Sequence, residues 1–191
     1  MSMNRRADQL RLVPGGGQNL QLFTDHFFRK RLPEWEAYRS FDAGPLLEEL
    51  TSLWERHAPA LTAGANEAQT EEDFIKPALK ALGHHYKVQT GLRTATGRRQ
   101  PDYALFADEA TRDAAARASG MDVYRNAIAV ADAKRFDRPL ERRQPDDPQD
   151  PVAQIIHYVS ITKVRWGILT NGRIWRLYGA EGDLVDGACY E

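Results

Sequence analysis

The segment NAIAVADAKRF, residues 126–136, constrains the fold more than any other stretch, because its alternation is that of a β-strand. A period of two puts Ile128, Val130, Asp132 and Lys134 on one face and Ala127, Ala129, Ala131 and Ala133 on the other. An alanine face lets a helix pack close to the sheet, so an acid and a base come to the end of a buried strand. Burying those two charges costs on the order of several kcal/mol per ion unless they pair with each other or with a metal.

Helical and strand-like periods surround this strand. Residues 1–18, with GGG and little periodicity, read as a mobile lead-in. LQLFTDHFFRKRLPEWEAY groups Leu22, Phe23, Phe27 and Phe28 at helical spacing and is expected to close at Pro33. PLLEELTSLWERHAPAL repeats Leu46, Leu47, Leu50, Leu53 and Trp54 and is expected to end before Pro59. Phe74, Ile75, Ala78, Leu79 and Leu82 predict a helix over 67–82, stopped by Gly83. HYKVQTGL and PDYALFA read as a hairpin across the basic connection RTATGRRQ. DEATRDAAARAS predicts a short helix, DRPLERRQPDDPQDP a long surface loop and VAQIIHYVSIT a further helix. VRWGILTNGRIWRLYG predicts two strands joined by a two-residue turn at Asn171-Gly172. The expected fold class is α/β (α+β), a central mixed β-sheet flanked by helices. Residues 1–62 form a flexible lead-in and helical extension, and residues 63–191 the core.

Composition removes several function classes. A chain of 191 residues, 42% apolar, buries a sufficient core without disulfides or structural metals. Its one cysteine, Cys189, forms no internal bridge, and no Cys/His cluster has zinc-finger spacing. That cysteine usage makes the reducing cytoplasm the expected setting, and with no run approaching the roughly 18 apolar residues of a membrane span, no membrane partner is expected. The net charge of −1 gives no argument for nucleic acid, but its distribution is uneven. From Phe41 to Ile75, acids stand at 42, 48, 49, 55, 67, 71, 72 and 73 against the single base Arg56. From Pro151 to Ala180 there are Lys163, Arg165, Arg173 and Arg176 and no acid. That basic stretch is read either as a phosphate-binding face or as a solvated one.

Asp132 is the only acid standing two residues before a lysine. Pro101 and Asp102 open the strand PDYALFA, where a first-position proline is tolerated. If this strand pairs with the one bearing Asp132, two carboxylates converge and stay ionised together only around a cation. Oxygen ligands without His or Cys favour Mg²⁺, with Mn²⁺ as substitute. The competing readings are a turn aspartate at 102 and a structural ion pair between Asp132 and Lys134.

Asp102 followed by Asp132-Ala133-Lys134 resembles the PD-(D/E)xK nuclease signature. NEAQTEEDFIKPALKALGHHYKVQTGLRTATGRRQPDYALF, AVADAKRFDRPL and WGILTNGRIWRLY are similar to the N-terminal nuclease segment of type IIG restriction-modification enzymes, and more distantly to type I restriction subunits. The likeness covers roughly residues 20 to 178, and LFTDHFFRKRLP carries a weaker likeness to the start of those enzymes.

The resemblance implies a restriction-endonuclease-like core. Asp102, Asp132 and the Ala133 carbonyl would ligate the metal. Lys134 would position or deprotonate the attacking water and offset charge on the scissile phosphate. Gln154, one turn before Tyr158 on the same helix face, matches the glutamine that orients lysine and water, with Tyr158 in reserve. The glutamate of the first core helix falls at Glu67, with Glu71 as alternative, because Asn66 and Thr70 are both acceptable N-caps. Asp132 stands where glutamate is also common, and the separation of 30 positions from Asp102 to Asp132 makes the alanine-rich helix an insertion. Arg93, Arg98, Arg99, Arg135 and Arg138 flank the motifs as candidate phosphate contacts or as solvated arginines.

The expected function is that of an Mg²⁺-dependent endodeoxyribonuclease domain acting on double-stranded DNA, the cleavage part of a restriction-modification or related defence enzyme. Methyltransferase and target-recognition regions would lie elsewhere in a larger enzyme or in a separate subunit. Two alternatives stand beside it: a non-catalytic nucleic-acid-binding module on the same fold, and a structural domain holding an Asp132–Lys134 pair.

Overall fold

The computed structural model describes residues 19–20, 22–88, 100–141, 150–180 and 189–191. The expected lead-in over 1–18, the connection containing Arg93, Arg98 and Arg99, and much of the loop after Leu140 lie outside them. In chain order the elements begin with β1 (Asn19–Leu20), α1 (Glu36–Arg39), α2 (Gly44–Thr62), α3 (Glu67–Thr70) and α4 (Lys76–Ala81). They continue with β2 (His85–Val88), β3 (Tyr103–Phe106), α5 (Glu109–Arg117), β4 (Ala129–Ala133), α6 (Pro151–Thr162), β5 (Trp166–Thr170), β6 (Trp175–Gly179) and β7 (Cys189–Tyr190). The seven strands form one sheet in the order β1-β7-β6-β5-β4-β3-β2. Among the described residues only β4 and β5 run parallel, so the fold is a mixed α/β one around a mostly antiparallel sheet flanked by helices. Among the described residues no helix is long and apolar enough to cross a membrane.

The two faces of β4 fall as alternation requires. Ala129, Ala131 and Ala133 pack with Ile75 and Leu79 from the helical segment Glu67–Ala81. Val130 packs with Ile155, Tyr158 and Val159 of α6 on the other side. β2 and β3 form the expected antiparallel pair, and β3 then pairs with β4. α6 is the crossover between parallel β4 and β5, so its N-terminal turn lies at the C-terminal end of β4. Gly167 lets it sit close: a Cβ there would lie 2.6 Å from Val159 and 3.0 Å from Ile155.

Three local expectations differ from the structure. Pro59 lies inside α2 instead of ending it. Continuing the helix buries Leu61 to 1% exposure against Ala65, Phe74 and Ala78, which offsets the missing backbone bond. Pro33 opens a 3-10 turn at Leu32–Glu34 between a wide turn at Phe27–Arg31 and α1, because proline suits a first helical turn. The β5–β6 connection spans four residues, since Thr170 pairs with Trp175. There the Asn171 side-chain oxygen Oδ1 accepts from the N–H groups of Arg173 (3.0 Å) and Ile174 (2.8 Å), replacing the bonds a two-residue turn would make.

Candidate functional site

The site forms where β3 begins and β4 ends. Because β3 and β4 are antiparallel, with Tyr103 opposite Ala131, Asp102 lies beside the last residues of β4. Its Oδ2 accepts the Ala133 backbone N–H at 2.8 Å. The N–H and C=O of one strand residue point to the same strand edge, so the Ala133 carbonyl also faces the Asp102 side. The next residue is held from the opposite edge, by Lys134 N–H to the Thr170 carbonyl at 2.8 Å.

Asp132 is 1% exposed and Lys134 7%, and the ammonium meets the Asp132 carboxylate at 2.5 Å. Burial works against the Lys134 charge, but Asp132, Asp102 and Glu67 outweigh it and raise the lysine above its ordinary value. Asp102 is pushed up to about 8, first by burial and then by the Asp132 charge. The Ala133 N–H bond and Lys134 oppose that rise without cancelling it.

Two acids come from the helical segment Glu67–Ala81. Asn66 is its N-cap: the Asn66 side chain accepts from Gln69 N–H at 2.9 Å, and Gln69 accepts from Asn66 N–H at 3.1 Å. That box decides between the two candidate caps and puts Glu67 in the first turn. Glu67 receives the Arg135 backbone N–H and feels Lys134 and Asp132, while burial raises its pKa. Glu71 starts a wide turn, Glu71–Ile75, and its side chain accepts the Tyr103 hydroxyl. The two glutamates are thus engaged differently, Glu67 toward the end of β4 and Glu71 toward the start of β3.

Gln154 and Tyr158 are joined, Gln154 Nε2 donating to the Tyr158 hydroxyl at 2.8 Å. Both belong to α6, whose Asp150 cap accepts from Val152 N–H (3.0 Å) and Ala153 N–H (3.2 Å). Tyr158 packs with Val130, so it lies on the sheet face that Asp132 and Lys134 share by alternation.

The arginines divide. Arg135 is exposed and bonded to Asp137 at 2.5 Å, whereas Arg138 is 5% exposed, with its carbonyl accepting from Asn171 Nδ2 at 2.8 Å. Arg176, counted with the basic stretch in the sequence, is buried between Glu141 and Glu191, so it adds no cation to a binding face. Sequence reasoning missed the Tyr103–Glu71 bond and the grip of Thr170 and Asn171 on the chain after β4. A buried tyrosine needing a partner was the one available signal for the first.

Asp102, Asp132 and the Ala133 carbonyl are the oxygen groups that could hold a hard divalent cation here. Among the described residues no three His, Cys, Asp or Glu side chains gather as a metal-holding group. No protein-family model, curated protein or solved structure matches the chain.

Proposed function

We propose that this chain is a nuclease domain of the PD-(D/E)xK type, with a restriction-endonuclease-like core over 63–191, that hydrolyses DNA phosphodiester bonds with Mg²⁺ or Mn²⁺. The observation that carries this reading is the bond from Ala133 N–H to Asp102 across 31 residues of sequence, which sets two carboxylates, a carbonyl and a lysine at one strand end. Burial, and then the Asp132 charge, raise Asp102, and a divalent cation would relieve both. Such a cation supplies Lewis-acid polarisation of the phosphate and offsets its charge. Lys134 holds its ammonium beside Asp132, where it orients an attacking water and balances charge developing on phosphorus oxygens. Glu67, which feels both Lys134 and Asp132, helps fix that ammonium. Double-stranded DNA is the proposed substrate, with target recognition supplied by regions or subunits outside this chain.

Supercoiled plasmid incubated with Mg²⁺ or Mn²⁺ tests the reading, with Lys134→Ala and Asp132→Ala prepared in parallel. Metal-dependent nicking by wild type is expected, reduced in each variant by about 100-fold or more. Equal nicking by all three proteins would refute the assignment.

The 2.5 Å contact between Lys134 and Asp132 favours one second reading, a purely structural ion pair. Under it, replacing both residues together (Asp132→Leu with Lys134→Met) leaves stability unchanged or raises it, and no cation binds wild type.

A further inference from the structure

Tyr103 follows Asp102 directly and is fully buried, its ring edge-on to Tyr86 at 5.5 Å and packed in the cluster with Ile75 and Leu79. A phenol hydroxyl in such a place needs a partner, and the one it finds is the Glu71 carboxylate. The hydroxyl donates and the carboxylate accepts. Glu71 is half-buried and exerts its charge on both Asp102 and Glu67. It is also the first residue of the wide turn, a local widening that moves its Cα out of the register of a regular helix.

We propose that Tyr103 is a positioning residue of the site: its hydroxyl fixes Glu71 beside Asp102, so that the negative field drawing a divalent cation to Asp102 and Asp132 has a set place and strength. This rests on the reading of the Asp102–Asp132 cluster as a cation site. The bond also divides the work of the two helix acids. Glu71 is committed to β3, which leaves Glu67 to face Lys134 and Arg135. Tyr103→Phe keeps the ring and its packing and removes only the donor, after which Glu71 is free to turn toward water.

Mn²⁺ binding to the full chain, measured by calorimetry, tests the proposal on wild type, Tyr103→Phe, Glu71→Gln and the double variant. Thermal denaturation in EDTA on the same four proteins reads out simple structural damage. The expected result is binding weakened by about tenfold in Tyr103→Phe, the scale typical of groups that orient metal ligands. In the double variant, binding no weaker than in Glu71→Gln alone is expected, because Tyr103 acts through Glu71. Wild-type affinity in Tyr103→Phe, or losses that simply add, would overturn the positioning role while leaving the cation site intact. Absence of Mn²⁺ binding by wild type would overturn the cation site and this proposal with it. Asp102→Asn separates the two cases, since it removes binding whatever Tyr103 does.

Discussion

Asp102 shows how much one residue depends on a neighbour far along the chain. Its carboxyl stands at about 8, against an ordinary value of 3.8, through burial and the Asp132 charge. The folded value lies above the unfolded one, so the protonated form favours folding. That contribution is complete below the unfolded value and is lost as pH rises through about 8. Asp102→Asn keeps an oxygen for the Ala133 N–H but has no charge to bury. In EDTA, wild type is therefore expected to lose thermal stability between about pH 4 and 8 while the variant does not. At pH 9 the variant should lead by about 1 kcal/mol, roughly 2–4 °C for a chain of this size. Parallel curves would show that the carboxyl is not burdened. At this scale the sequence showed that Asp132 and Lys134 share a face, by alternation alone. It left open which of Glu67 and Glu71 faces Lys134, because that turned on the capping box at Asn66 and on Tyr103, whose partner lies 32 residues away.

Elements place the site through close approach. The alanine face of β4 admits the helical segment carrying Glu67 and Glu71, and Gly167 of β5 admits α6 on the opposite face. A Cβ at 167 would come 2.6 Å from Val159 Cγ2 and 3.0 Å from Ile155 Cγ1, and the branched valine has little rotamer freedom with which to yield. Gly167→Ala is expected to cost about 1–3 kcal/mol in chemical denaturation, an overpacking penalty. An unchanged midpoint would mean that α6 shifts freely. Helix and strand types were legible here because each has its own apolar period. The exceptions were set by packing: α2 runs through Pro59 because Leu61 finds a buried site, and the β5–β6 loop widens because Asn171 caps it with its side chain.

Across the whole molecule, the sheet joins segments that the chain keeps apart. Arg176 on β6 bonds Glu191 beyond β7 at 2.7 Å through Nε, and Glu141 beyond β4 through its guanidinium. Arg176→Met removes the shared cation and is expected to lower stability by about 1–3 kcal/mol, with Glu141→Gln adding little on top. Additive losses in that pair would show that the contacts are independent. The sequence by itself determined the mixed α/β class, the two faces of β4, the helix over 67–82 with its stop at Gly83, and the residue types available for acid, base and cation chemistry. These follow from alternation, helical spacing and backbone preference, all set within a few residues. Tertiary structure alone decided the order of the strands, the parallel pairing of β4 with β5, the meeting of Asp102 with Ala133 and the removal of Arg176 from the basic surface. Those depend on register and burial between distant segments, where loop closure and the solvation of charge, not local period, set the free energy.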